Sequence, residues 1–142
     1  MSAVNPSDAP TATTRRQDFA GVIPHMTLSD ANAAAEFYEK AFGAEVLDRR
    51  LAGAGPRLMH CQLRINDGSL MINDGFPEHG HPAVPLQGFT LLLAVDDLDS
   101  WWDRAVAAGA EIVMPLQVMF WGDRYGQLKD PFGVTWALNG KA

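Results

Sequence analysis

One cysteine, three lysines and no long apolar run set the first limits on this chain. Cys61 alone cannot close an internal disulfide, and no Cys-x-x-Cys pair is present to build a zinc or dithiol centre. Scarce lysine goes with a net charge of −6 and a pI near 5.0. No basic stripe exists to neutralise phosphates, which excludes a nucleic-acid-binding surface. No apolar stretch approaches the roughly 18–20 residues that cross a bilayer, so no membrane partner is expected. The opening residues, MSAVNPSDAPTATTRRQDF, lack the apolar centre of a secretory signal, and a cytoplasmic protein is expected. Glycine loops of the dinucleotide or P-loop form are missing, and so is a Gly-x-Ser-x-Gly nucleophile elbow.

What remains is a chain of 142 residues, 47% hydrophobic, enough for one domain with one core. Residues 1–18, rich in Ser, Thr, Ala and Pro, read as a flexible arm, and 19–142 as a single domain. Gly21 to Leu28 reads as a strand with Pro24 marking an edge or bulge. Ser29 or Asp30 then caps an amphipathic helix over Ala31 to Phe42, which Gly43 stops. Ala44 to Leu51 is extended. Arg57 to Ile65 alternates, Asn66-Asp67-Gly68 is a hairpin turn, and Ser69 to Asn73 is its partner strand. Gly75 to Gln87, with His79 and His81, reads as a solvated connector.

The pattern then starts again. Gly88 to Val95 is a strand, Asp96 or Asp97 caps a helix to about Ala108, Gly109 stops it, and Ala110 to Met114 is extended. A shift of 66 residues lays Asp30 on Asp96, Gly43 on Gly109, Ala44 on Ala110 and Glu45 on Glu111. Met119 to Gly140 closes the second half as a hairpin around Asp130-Pro131-Phe132-Gly133. The fold class is therefore α+β: two βαβββ modules, about 19–76 and 87–140, in a pseudo-twofold arrangement. Their curved mixed sheets would carry helices on one face and enclose a cleft with the other.

Alternation assigns faces. Met59, Cys61, Leu63 and Ile65 belong under the helix, leaving His60, Gln62 and Arg64 for the cleft. Phe89, Leu91, Leu93 and Val95 are assigned to the helix, with Thr90, Leu92 and Ala94 opposite. Val134, Trp136 and Leu138 face the helix, and Thr135, Ala137 and Asn139 the cleft. The expected cleft holds His25, Thr27, His60, Gln62, Met71, Asn73, Thr90, Thr135 and Asn139, without a carboxylate. Of Trp101 and Trp102, one belongs in the core and one nearer the rim. Phe120 and Trp121, beside Gly122, cannot both be buried and suit a wall for a planar ligand, with Arg124 and Tyr125 close by. Asp123 and Arg124 are read either as a local ion pair or as ligand contacts.

These motifs, in order, resemble the vicinal oxygen chelate superfamily of glyoxalase I, extradiol dioxygenases, and bleomycin and fosfomycin resistance proteins. They are Ser29-Asp30, Phe37-Tyr38 and Phe42-Gly43, then Val95-Asp96-Asp97-Leu98, Gly109-Ala110 and Asp130-Pro131-Phe132-Gly133. The run Phe120-Trp121-Gly122-Asp123-Arg124-Tyr125-Gly126 is similar to the PhnB-like branch. The resemblance implies a homodimer and, in metal-dependent members, His and Glu ligands on four strands. Carried onto this sequence, those positions are Ile23, Met71, Thr90 and Ala137, none a conventional ligand. The resulting expectation is a small-molecule binding protein without the inherited metal site, holding an aromatic or drug-like ligand. Its ligand-binding set is His25, Thr27, His60, Gln62, Met71, Asn73, Thr90, Phe120, Trp121, Arg124 and Tyr125, and no cofactor is predicted. The alternative is a metal-dependent lyase, isomerase or dioxygenase, with a divalent ion held by a site rebuilt around His25 and His60.

Overall fold

The computed structural model describes residues 19–142, so the expected arm at 1–18 lies outside the described residues. Two modules of like order follow one another. The first runs β1 (His25–Leu28), α1 (Ala31–Phe42), β2 (Glu45–Leu51), β3 (Leu58–Ile65) and β4 (Gly68–Asp74). The second runs β5 (Leu91–Ala94), α2 (Leu98–Ala108), β6 (Glu111–Val118), β7 (Asp123–Lys129) and β8 (Thr135–Lys141). Each makes a four-stranded sheet, ordered β1-β4-β3-β2 and β5-β8-β7-β6. The first strand of each module pairs in parallel with its last, and the other pairings are antiparallel. Both sheets are therefore mixed.

Local chemistry sets the helix ends. The Asp30 side chain accepts from Ala33 N at 3.0 Å, and Gly43 ends α1 with φ of 64°. That left-handed backbone carries no Cβ penalty in glycine. Gly109, φ 116°, ends α2 in the same way. The two starts differ, because Asp97 occupies the cap position of α2 without a side-chain hydrogen bond.

One core lies between the helices and the inner faces of both sheets. Leu28, Leu58, Leu63 and Ile72 from the first sheet, and Leu128, Val134 and Leu138 from the second, are almost wholly buried. An aromatic cluster joins the modules: Trp136 lies 4.6 Å from Phe42 and 5.3 Å from Tyr38 between ring centres. Polar links run the same way. Arg104 of α2 donates to the last carbonyls of α1, Lys40 O at 2.7 Å and Glu39 O at 3.1 Å. Cys61 is buried, and that burial pushes its thiol pKa up, away from the reactive thiolate. Trp102 is buried and Trp101 only partly, which divides the pair between core and rim as expected.

Several expected faces move. Met59 is 57% exposed instead of packing under α1, while Leu58 is fully buried. The ladder slips there, with Arg50 opposite His60 but Leu51 opposite Leu58, so one extra residue reverses the alternation. Phe89 and Thr90 precede β5 and are exposed, because the strand begins only at Leu91. The first strand is likewise short and begins at His25. Among the described residues, no helix is long and apolar enough to cross a membrane.

Candidate functional site

Each sheet keeps one face for its helix; the other carries the candidate residues and is only partly exposed, with Gln62 and Ala137 buried on it. In the first sheet, strand pairing sets the open face out in rows. Asp48, Gln62, Met71 and His25 stand in register across β2, β3, β4 and β1. Arg50 is opposite His60, and Thr27 is opposite Asn73 one step along. Glu45, Arg64 and Ser69 form a third row. The structure thus brings together six expected site residues: His25, Thr27, His60, Gln62, Met71 and Asn73.

That face is polar and internally bonded. Thr27 Oγ1 donates to Asn73 Oδ1 at 2.9 Å. Arg50 Nε donates to Asp48 Oδ2 at 3.0 Å, and His60 Nε2 lies 3.5 Å from the same oxygen. Arg64 pairs with Glu45 at 3.5 Å. Carboxylates therefore do stand on the cleft face, contrary to the sequence expectation. Asp48 comes there because Leu47 is an extra residue between the pairs Val46–Leu63 and Asp48–Gln62. Two adjacent apolar residues, Val46 and Leu47, were the available sign of that bulge.

On the second sheet the open face is aromatic. Asn139 pairs with Ala94 on one side and Tyr125 on the other. Trp121 Nε1 donates to Asn139 Oδ1 at 3.3 Å, and the indole meets Tyr125 edge-on with ring centres 5.7 Å apart. Asn139 Nδ2 donates in turn to Asp123 Oδ2 at 3.0 Å, a further carboxylate on this face. Gln127 Nε2 donates to the Tyr125 hydroxyl at 3.0 Å. Trp121 remains 46% exposed and Leu92 58%, so this platform is open. Phe120 touches Trp121 edge-on but is 96% exposed at the tip of its turn.

Arg124 is not part of the platform. It reaches the α2 side, where its Nη2 and Nη1 bond Asp99 Oδ1 and Oδ2 at 2.7 and 3.1 Å. Strand alternation requires this once Tyr125 faces the cleft. The Arg124 guanidinium holds the Asp99 carboxyl below the usual range by hydrogen bonding. Asp123 and Arg124 therefore go to separate partners on opposite faces.

The four positions implied for an inherited metal carry Ile23, Met71, Thr90 and Ala137, and their donor chemistry does not fit a divalent ion. His25 and His60 stand two strands apart on the first sheet. β4 lies between their strands, and His60 points Nε2 at Asp48 on the side of β3 away from β1. No group of three or more His, Cys, Asp or Glu able to hold a metal occurs among the described residues.

Two buried carboxylates, Asp130, read from the sequence only as a turn residue, and Asp74, not singled out there, hold these faces in place. Asp130 Oδ1 accepts from Phe132 N and Val134 N at 2.9 Å, shaping the turn into β8. Its Oδ2 accepts from Trp136 Nε1 at 2.9 Å and the Tyr38 hydroxyl at 2.5 Å. Burial, with the Asp130 charge beside it, pushes the Tyr38 pKa far above that of an ordinary phenol. Asp74 accepts from Ala31 N at 2.9 Å and Leu58 N at 2.6 Å, tying α1 and β3 to the end of β4. The Asp-Pro turn signalled Asp130 locally, but nothing in the sequence signalled its bond to Tyr38.

The comparisons agree with this architecture. A family model described as the Glyoxalase/Bleomycin resistance protein/Dioxygenase superfamily matches residues 22–138. An uncharacterized protein of Mycobacterium bovis is 43% identical over 121 residues, covering 81% of this chain and 79% of its own length. TnmS3 of Streptomyces sp. CB03234, described as an antibiotic binding protein, superposes with a TM-score of 0.64 at 28% identity. That match covers 87% of this chain and 97% of TnmS3. A PhnB protein of Bacillus cereus shares the fold, with a TM-score of 0.61 and 22% identity over 85% and 99% of the two chains.

Proposed function

The chain belongs to the glyoxalase/bleomycin resistance protein/dioxygenase superfamily, and from that premise we propose that it binds and sequesters an aromatic, drug-like small molecule. The observation that carries the reading is the Trp121 platform. A half-exposed indole, held at its edge by Asn139 and Tyr125, stands above an open sheet face. A fixed aromatic plane beside a few polar groups suits a planar ligand. The antibiotic-binding description of TnmS3 supports the same reading. Binding needs neither the inherited metal nor a cofactor, and the work is done in the cytoplasm. Because Leu92 and Trp121 stay exposed on the second sheet, two copies would cover these faces as a homodimer.

The test is tryptophan fluorescence across a panel of planar aromatic compounds, with Trp121→Ala beside the parent. Saturable quenching that weakens at least tenfold in Trp121→Ala, with an unchanged unfolding midpoint, supports the proposal. No quenching by any member refutes it. Light scattering should give twice 15.4 kDa, and a monomer that binds with full affinity would remove the dimer from the reading.

A second reading, catalysis on the same face, draws on the Asp48 carboxylate 3.5 Å from His60. An imidazole oriented by a carboxylate is the form a general base takes. Metal-dependent chemistry would require stoichiometric transition metal in tag-free protein, lost in His60→Ala.

A further inference from the structure

We propose that Asn139 and Asp123 are positioning residues of the aromatic platform. Through a one-way chain of hydrogen bonds they fix the Trp121 indole, which then meets a planar ligand with its ring surface alone. The inference rests on the binding reading above and names two residues that set ligand affinity by acting through a third.

The turn places the indole first. Met119 N donates to Asp123 O at 2.8 Å and Gly122 N to Met119 O at 3.0 Å, closing a tight loop between β6 and β7. Gly122 takes φ 94°, a left-handed backbone that favours glycine. Trp121 lies inside that loop and reaches β8, where its Nε1 donates to Asn139 Oδ1 at 3.3 Å. Asn139 Nδ2 donates onward to Asp123 Oδ2 at 3.0 Å. Asp123 and Asn139 are diagonal neighbours, because Asn139 stands opposite Tyr125, two residues further along β7.

The two ends give the chain its direction. An indole N–H can only donate, and a carboxylate can only accept. The residue between them must therefore present an acceptor to Trp121 and a donor to Asp123. A carboxamide carries both on one planar group. Turned over, the same amide would set nitrogen against the indole N–H and oxygen against the carboxylate, losing both bonds. The charge at the far end strengthens the bond it receives and holds the amide in one orientation.

Tyr125 bounds the indole edge-on, with ring centres 5.7 Å apart. A half-exposed tryptophan without such ties loses rotamer freedom when a ligand stacks on it, whereas one already fixed loses little. Because Nε1 is engaged inside the protein, the indole keeps no donor for the ligand, and recognition at Trp121 is by ring contact.

The test is a double-mutant cycle on the full chain with Asn139→Ala, Asp123→Ala and both together, beside the conservative Asp123→Asn. One readout needs no ligand: the Trp121 indole N–H resonance in nitrogen-15 NMR, assigned by its absence in Trp121→Phe. The other is the affinity for uncharged 2-naphthamide by tryptophan fluorescence, replaced by the strongest quencher of the aromatic panel if it is silent. Asn139→Ala should shift the resonance and weaken binding about tenfold, near the worth of one hydrogen bond to a charged group. Asp123→Ala should move both readouts the same way, although it leaves the indole's direct partner in place. The double variant should bind no more weakly than Asn139→Ala alone, since both residues act through one chain. Asp123→Asn keeps an acceptor and should stay close to the parent. Unfolding midpoints are read alongside, and Asp123→Ala carries the test if Asn139→Ala does not fold. Unchanged affinity in both single variants, or additive losses, overturns the inference, while continued dependence on Trp121 leaves the binding function standing. Lost affinity with an unmoved indole resonance also overturns it, because the residues then act on the ligand directly. A silent aromatic panel removes the binding function and this inference together.

Discussion

The Tyr38 hydroxyl donates to Asp130 Oδ2 at 2.5 Å, joining α1 of the first module to the turn that opens β8 of the second. The two residues are 92 positions apart and both are buried. The bond closes a hub in which one carboxylate satisfies two backbone amides, an indole and a phenol. It fixes how the modules are set against each other, and so the direction in which each open face looks.

Tyr38→Phe should lower stability by about 1.5–3 kcal/mol, the range for a hydrogen bond to a charged group. Urea unfolding reads this as a lower midpoint with an unchanged slope. A shift below experimental error would mean that the bond does not hold the modules together.

Gly126→Ala should cost about 1–3 kcal/mol by overpacking. A Cβ there would lie 2.7 Å from the Trp102 ring and 2.9 Å from Met114 O, too close without movement of α2 or β6. Gly55→Ala is the control, since its Cβ meets nothing within 4 Å. Thermal unfolding should separate the two, and equal midpoints would contradict the packing described.

Arg124→Gln should leave ligand quenching unchanged, because the side chain lies on the α2 side paired with Asp99. Carbon-13 NMR should show the Asp99 carboxyl titrating higher than in the parent once its donor is gone. A marked loss of ligand affinity would return Arg124 to the binding face.

The connector carries its own pH dependence. Arg57 grips both Glu78 oxygens at 2.9 and 2.5 Å, and this hydrogen bonding holds the Glu78 carboxyl down to about 2 from an ordinary 4.5. The folded pKa is depressed, so the contribution is whole above about pH 4.5 and lost as pH falls through about 2. The pair is exposed and screened, and its effect on stability is small. In Arg57→Gln the Glu78 titration should move up toward 4.5. An unchanged midpoint would show that another group sets it.

The sequence by itself determined what local chemistry controls. Asp30 and Gly43 bound a helix at Ala31–Phe42 as read, and the repeat at 66 residues reappears as two modules of like order. Alternation placed His25, Thr27, His60, Gln62 and Asn73 on one face, because side chains along a regular strand must alternate. Tertiary structure decided the rest. Leu47 and Met59 became bulge positions only through pairing of β2 with β3, which put Asp48 beside His60 and turned Met59 outward. Arg124 went to the helix side once strand register turned Tyr125 to the cleft, and Asp99, on another element, pairs with it there. Register and ion pairing depend on residues distant in the chain, and no local pattern encodes which of two faces such a partner occupies.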